Sequence, residues 1–262
     1  MTTTESTDST TLTTPATAAE RSPMSRSRKV ALYGGVLYLV TFLTSIPALG
    51  LKGPARHSID FVLGHGSSNS VVLACVLDMA CALAGIGTAV ALYPVTRRQS
   101  RSAALGFLAT RTLEAAVMFL GAISLLALVT LRHDHNPADT ASLVVVGRAL
   151  VAIHEWTFLL GPSVMAGMNA LFLASVMYRS RLVPRIIPTV GLIAAPLILA
   201  SSVGTMFGGW GQTSSVGTAL GFPVALWELS LGLWLTFKGF KPSPLTDDAP
   251  IEAGPLTFAA AA

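Results

Sequence analysis

The sequence predicts an all-α polytopic membrane protein, a bundle of six transmembrane helices. Three observations predict this fold class. Of the 262 residues, 52% are hydrophobic and only 11% are charged, whereas an average globular domain has about 25% charged residues. The apolar residues fall in six runs of about 20 residues or more, a length that crosses the roughly 30 Å hydrocarbon layer of a bilayer. The basic residues cluster between these runs, as orientation in a membrane requires.

The two ends of the chain differ in composition from its middle. Residues 1–24 are mostly Thr, Ser, Ala and Glu with almost nothing to bury, which is typical of a disordered tail. The transmembrane domain is predicted over residues 25–241, and a second disordered tail over 242–262. The first apolar run follows a basic flank and also fits a signal peptide. Its length and the five further runs favour a membrane-spanning helix.

The spans are predicted at residues 30–50, 70–94, 102–131, 156–178, 186–207 and 216–237. Residues 142–155 fit two alternatives, an outward extension of the fourth helix or a separate half-helix at the membrane surface. Small residues at four-residue spacing predict close helix packing. They are Ala166, Ala170 and Ala174 in the fourth span, and Gly217 and Gly221 in the sixth.

Lysine and arginine are distributed unequally between the two sides of the predicted bundle. The N-terminal flank, the second loop, the fourth loop and the end of the last span hold four, three, three and two of them. The other side holds three, Lys52, Arg56 and Arg132. Both termini are therefore predicted to face the cytoplasm. This pattern accounts for the net charge of +4 without a nucleic-acid partner, and the expected partner is the lipid bilayer.

Several ionisable residues fall inside the predicted spans, where a charge near the bilayer centre costs at least about 2.5–3.5 kcal/mol. We therefore expect them to face the bundle interior and to find partners there. With a rise of about 1.5 Å per residue, Glu114 and Glu228 lie near mid-membrane and Arg111 one turn closer to the cytoplasm. Asp78 falls in the outer third and Glu155 near the outer interface. Arg111 and Glu114 are three residues apart, so they share a helix face and can pair.

Polar residues also recur on the fourth helix. Arg148, Glu155 and Asn169 lie at multiples of seven residues and form one stripe if the helix continues outward. With polar residues of the first two helices they predict a polar seam. The candidate intramembrane site comprises Tyr38, Asp78, Arg111, Glu114, Arg148, His154, Glu155, Asn169 and Glu228.

The charges of this seam are unequal. Four carboxylates (Asp78, Glu114, Glu155 and Glu228) face two guanidiniums, those of Arg111 and Arg148. Because burial disfavours an ionised carboxylate without a counter-charge, one or two of the acids are predicted to carry a proton at neutral pH.

This pattern supports two hypotheses. In the first, the seam handles a small ligand or protons: Arg111 holds an anionic group or an acid, and Glu114 and Glu228 exchange protons. In the second, the protein is a structural or stress-response scaffold whose buried charges only fix helix packing.

An intramembrane enzyme is the least favoured class. The segment His154 to Phe158 begins like the zinc-protease motif HExxH, but Phe158 stands where the second histidine is needed. We expect no catalytic constellation, no metal and no cofactor.

Four short segments carry a family resemblance. They are GVLYL at 35–39, RTLEA at 111–115, His154 at the head of the fourth span, and YRS at 178–180 leading to LVPR at 182–185. In order and spacing they resemble the domain-of-unknown-function family 4386, bacterial integral membrane proteins, over about residues 28–240. The resemblance implies a multi-pass protein of the bacterial inner membrane. It implies no established activity, cofactor or catalytic residue.

Overall fold

The computed structural model describes residues 24–57, 59–63, 65–134 and 140–246, and the predicted tails otherwise lie outside these ranges. The described residues form helices and connecting turns, with no β-strand among them. The elements are α1 (Arg26–Leu51), α2 (Gly53–His57), α3 (Ile59–Val62), α4 (Ser68–Gln99), α5 (Arg101–Asp134), α6 (Thr140–Leu159), a π-helical turn (Leu160–Met165), α7 (Ala166–Ser180), α8 (Ile186–Met206) and α9 (Ser215–Phe237).

Six helical stretches within the described ranges are long and apolar enough to cross a membrane. They correspond one by one to the six predicted spans, so the predicted helical membrane fold is confirmed at this level. The ambiguous residues 142–155 belong to the fourth stretch, which runs without a break from Thr140 to Ser180 over 41 residues. The half-helix alternative is therefore wrong, and the fourth span begins well before position 156.

The six long stretches form a closed ring. Each packs against its neighbours in the chain, and α1 also packs against α9. Short connections force this arrangement, because only Ser100 separates α4 from α5 and only residues 181–185 separate α7 from α8. Ring closure leaves a central space to which every span can contribute side chains.

Two apolar clusters fill the two ends of this space. The terminal cluster lies beside the start of α1 and the end of α9, and it includes Ala31, Leu92, Phe107, Leu173 and Leu235. The distal cluster lies at the opposite end and includes Phe61, Val71, Cys75, Leu125 and Leu143. Along α4 the clusters occupy residues 89–95 and 71–75, and along α5 they occupy residue 107 and residues 122–129. The middle of both helices is left for the candidate site.

Helices α1 and α9 approach each other closely. A Cβ atom on Gly35 would lie 2.5 Å from the backbone nitrogen of Thr236 and 2.9 Å from the carbonyl oxygen of Gly232. The prediction of a Gly217–Gly221 seam is wrong. The three atoms nearest to a Cβ on Gly217 belong to the preceding turn, at residues 211–212, and a Cβ on Gly221 would meet only a side-chain carbon at 4.0 Å. The predicted alanine stripe of the fourth span, by contrast, is buried at all three positions.

The π-helical turn follows from Pro162, which has no N–H to donate to the carbonyl one turn earlier. That carbonyl belongs to Phe158, and the side chain of Gln212 satisfies it at 3.1 Å. The same amide group donates to Ser163 Oγ at 2.8 Å. The loop between α8 and α9 thus supplies the hydrogen bond that the proline cannot donate. The π-helical turn lies between α6 and α7, and its Pro162 borders the central space.

One end of the bundle gathers the termini and the basic loops. Arg28 donates to the carbonyl oxygens of Leu235, at 2.9 Å, and Thr236, at 2.6 Å. The Lys241 amide donates to Leu182 O at 2.7 Å. Arg98 donates to Leu245 O at 3.0 Å. The clusters that the sequence assigns to the cytoplasmic side therefore meet at one end of the molecule.

Candidate functional site

Three charged side chains from two helices meet at the middle of the bundle. Arg111 of α5 is 4% exposed. Its Nη1 donates to Glu114 Oε2 at 2.8 Å, which is the local pair that the three-residue spacing predicts. Its Nη2 donates to Glu228 Oε1 of α9. One guanidinium therefore serves two carboxylates and links α5 to α9 across the ring.

Polar and aromatic neighbours hold this triad in place. Asn169 of α7 donates from Nδ2 to Glu114 Oε2 at 2.7 Å, and the hydroxyl of Thr110 donates to the Asn169 Oδ1 atom. The guanidinium of Arg111 lies 5.3 Å from the ring centroid of Tyr38 and 5.7 Å from that of Phe107. These contacts fix the orientation of the Glu114 carboxylate and of the Arg111 guanidinium.

The triad leaves hydrogen-bonding capacity unused. No described residue donates a hydrogen bond to Glu114 Oε1 or to Glu228 Oε2. A carboxylate can accept several hydrogen bonds, and with one cation for two acids the triad carries a net charge of −1 if both are ionised. The unused oxygens and the excess charge both favour a proton or a donor group.

Two more ion pairs lie toward the distal cluster. Lys52, 2% exposed, donates to Asp78 Oδ2 at 2.6 Å. Arg56 donates to both oxygens of Glu155, at 2.6 and 2.8 Å. Both cations lie over the ring of Phe158, at 5.2 and 4.9 Å from its centroid.

These pairs correct the sequence-based charge count. The sequence places Lys52 and Arg56 between spans on the side opposite the termini, but α1 runs to Leu51 and α2 follows at Gly53, and both side chains are buried. Arg132, assigned to the same side, is also buried, over the ring of Phe61. Asp78 and Glu155 thus each have a cation, and the excess negative charge is confined to the triad.

A cavity of about 290 Å³ lies between the terminal and distal clusters. At one end of it lie Arg111, Glu114 and Glu228, and at the other Lys52, Asp78 and His154. The remaining lining is mostly apolar and comes from α1, α4, α5, α8, α9 and the α6–α7 stretch. It includes Phe42, Ile46, Leu49, Met118, Phe158, Ile198, Gly221 and Val224.

His154 brings an unpartnered nitrogen to the cavity lining. Its side chain is 3% exposed, and Nδ1 lies 3.1 Å from the carbonyl oxygen of Gly121. A carbonyl only accepts, so Nδ1 carries the hydrogen and Nε2 of the neutral ring is an acceptor. Nε2 has no hydrogen-bond partner among the described residues.

The sequence-predicted site residues do not all reach the cavity. Asp78, Arg111, Glu114, His154 and Glu228 line it. Tyr38 and Asn169 contact the triad without lining the cavity. Glu155 pairs with Arg56 beside it. Arg148 is exposed, so the predicted stripe does not continue as an interior seam, because the outward extension of the helix turns this position away from the bundle.

Sequence reasoning missed Lys52, Met118, Phe158 and Gly221 as lining residues. For Lys52 a signal was present: the acid at position 78 needed a cation at its own depth, and Lys52 and Arg56, after the first span, lie on the same side of the predicted bundle as the outer third that holds Asp78. The other three are ordinary residues of membrane helices and carried no signal.

Comparison with known proteins places the chain in a family. A family model described as Domain of unknown function (DUF4386) matches residues 33–239, which is most of the chain and includes the six long stretches apart from residues 26–32 of the first. The chain belongs to this family. The DUF4386 match confirms the resemblance carried by the four segments. No curated protein matches the chain, and neither does any solved structure.

No metal centre forms among the described residues, where no group of three or more His, Cys, Asp or Glu side chains is placed to hold an ion. The side chains around the cavity offer hydrogen bonding, ion pairing and proton transfer.

Proposed function

We propose that this multi-pass membrane protein binds a small ligand in its intramembrane cavity and couples binding to a proton on Glu114 or Glu228. One observation carries the proposal: two carboxylates share a single guanidinium in the wall of a cavity. Two ionised acids around one cation in a medium of low dielectric repel each other, so one of them gains by taking up a proton. A ligand that changes the charge of the cavity then changes the occupancy of that proton.

A scaffold function is the alternative, and a specific observation favours it. Arg111 connects α5 to α9, and a buried ionic contact of this kind can fix helix register without any ligand. A scaffold does not need a cavity beside the ions, however, because filling that space with side chains would improve packing. The cavity is therefore the reason to place ligand binding first.

Infrared spectroscopy tests the shared proton. Purified protein in lipid at pH 7 is expected to show the C=O stretching band of a protonated carboxyl group, and Glu228→Gln is expected to abolish it. Glu155→Gln is the matched control, because Glu155 has its own cation, Arg56, and does not line the cavity. A spectrum without a protonated carboxyl band in the wild-type protein would show that all four acids are ionised, and would contradict the proposal.

We also propose that both termini are cytoplasmic and that the membrane is the bacterial inner membrane. The end of the bundle that holds Arg28, Arg98 and Lys241 is the more basic one, as the positive-inside rule requires of a cytoplasmic face.

Cysteine labelling tests this orientation. With Cys75 and Cys81 replaced by alanine, a Ser67→Cys variant is expected to react with a membrane-impermeant maleimide in intact spheroplasts. A Pro244→Cys variant is expected to react only after permeabilisation. Both positions are exposed and lie at opposite ends of the bundle. The reverse labelling pattern would invert the topology.

A further inference from the structure

The unused hydrogen-bonding atoms around the cavity point to a donor ligand. At one end these are the free oxygens of Glu114 and Glu228, and at the other the Nε2 atom of His154. These three atoms are acceptors. Arg111 Nε, which also has no partner among the described residues, is a donor, but it belongs to the guanidinium that both carboxylates already engage. Seven residues of α5, about 10 Å of helix, separate Glu114 from Gly121, whose carbonyl holds His154. A hydrogen-bond donor on a ligand can therefore pair with an acceptor at either end of the cavity.

The charges around the cavity point to a cation. Lys52 and Asp78 neutralise each other, and Arg111 neutralises one of the two glutamates. The other titratable groups facing Glu114 and Glu228 are Tyr38 of α1 and Cys81 of α4. α7 adds only the neutral Asn169 and α8 only apolar Ile198. One positive charge is therefore missing when both glutamates are ionised.

The walls and the opening of the cavity indicate that the rest of the ligand is apolar. The two apolar clusters close the cavity toward both ends of the bundle. Among its lining residues only Ile46 and Leu49 of α1 are exposed, at 67% and 42%. α1 touches α9 near Gly35, and the cavity lies beside the later part of α1 and the earlier part of α9. The exposed edge is thus apolar and faces sideways, where a bilayer would supply hydrocarbon.

We propose that the cavity takes a lipophilic amine, bound as the ammonium ion with its N–H groups on Glu114 and Glu228. This inference rests on the proposed function and names the ligand class of the same site. Binding is an exchange: the carboxyl O–H of the pair loses its proton to water, and the ammonium replaces that positive charge. No covalent bond between heavy atoms forms or breaks. An anionic amphiphile would add a second uncompensated negative charge, and a neutral one would leave the carboxyl protonated.

Three probes with the same four-carbon phenylalkyl skeleton separate these classes: 4-phenylbutylamine, 4-phenylbutanol and 4-phenylbutanoate, titrated into protein in lipid nanodiscs by calorimetry. Empty nanodiscs correct for partitioning into lipid. The amine is expected to bind at least about tenfold more tightly than the alcohol, the ratio for one charge-assisted hydrogen bond, and the acid is expected not to bind. Titrations in buffers of different ionisation enthalpy should show release of about one proton per amine. The affinity of the amine should rise with pH.

Two variants locate the binding. Glu228→Gln is expected to abolish proton release and to lower the affinity for the amine at least about tenfold. Gly221→Leu is expected to block binding by filling the cavity, because a Cβ there meets only a side-chain carbon at 4.0 Å and the fold can accept it. Gly50→Leu is the matched control: nothing lies within 4 Å of a Cβ at this position, and it does not line the cavity.

The failures of the two proposals are distinguishable. Equal binding of alcohol and amine without proton release would overturn the amine inference and leave a ligand-binding cavity. Preferential binding of the acid would overturn it as well. A protonated carboxyl band that Glu228→Gln abolishes, with no binding by any probe, would overturn the amine inference. The proposal that Glu114 and Glu228 share a proton would stand. Loss of both results would remove the proposed function itself.

Discussion

An Arg111→Met variant is expected to lose about 3–5 kcal/mol of folding free energy, the range for removing one partner of a buried ion pair. The reason is what the substitution leaves behind. Glu114 and Glu228 would face each other inside the bundle with only Asn169 as a donor, and α5 would lose its polar contact to α9. Equilibrium unfolding in mixed micelles, followed by circular dichroism, measures the loss.

The triple variant Arg111→Met, Glu114→Gln, Glu228→Gln is the decisive partner of this experiment. It removes all three charges and keeps the shape of the side chains close to the original, so most of the lost stability should return. Arg148→Met is the surface control and should change stability by less than about 0.5 kcal/mol. If Arg111→Met were as stable as the wild-type protein, the arginine would not be compensating buried carboxylates.

The same set separates a scaffold from a ligand-binding protein. In a scaffold the charges serve only helix packing. The triple variant, whose stability is restored, should then keep the activity of the protein in the cell. A proton-coupled binding site needs the carboxylates, so the rescued variant should fold and be inactive. Stability and activity thus move together in one case and apart in the other.

The six spans and the Arg111–Glu114 pair were predictable because each rests on local information. A run of apolar residues is long enough to cross a membrane wherever it lies in the chain, and a three-residue spacing places two side chains on one helix face. The contact between Arg111 and Glu228 joins positions 117 apart in the chain. It depends on the rotation of α9 about its axis, which packing against α1 and α8 determines. The similar depths of Arg111 and Glu228 in the membrane were therefore not enough to predict this contact.

The misassigned cations show where the charge rule fails. Lys52 and Arg56 follow an apolar run and precede a polar stretch, so the sequence places them in a loop. The fold instead continues into α2 at Gly53 and buries both against acids from α4 and α6. The unpaired acids inside the spans were the available signal, since a buried carboxylate requires a partner at its own depth. The cavity had no such signal, because empty space follows from how six helices diverge.

A Gly35→Val variant is expected to separate α1 from α9 and to destabilise the bundle by about 1–3 kcal/mol or more, the usual range for overpacking. Two of the three nearest atoms that a Cβ would meet here are backbone atoms, Thr236 N at 2.5 Å and Gly232 O at 2.9 Å, and the third is the Thr236 hydroxyl oxygen at 2.5 Å. The two backbone atoms decide the outcome. They cannot rotate away as a side chain can, so one helix must move. Gly232→Ala should have a smaller effect, because its nearest neighbour is Tyr38 Cβ at 3.0 Å.

Thermal unfolding in lipid nanodiscs, monitored by tryptophan fluorescence, measures this effect, and Gly50→Val on the same helix is the matched control with open space around it. Because α1 and α9 are both walls of the cavity, moving them apart should also widen its sideways opening. Gly35→Val should therefore accelerate both association and dissociation of any ligand that enters from the bilayer. An unchanged unfolding temperature would show that the two helices do not approach at Gly35. A destabilised variant with unchanged exchange rates would place the entrance somewhere other than between α1 and α9.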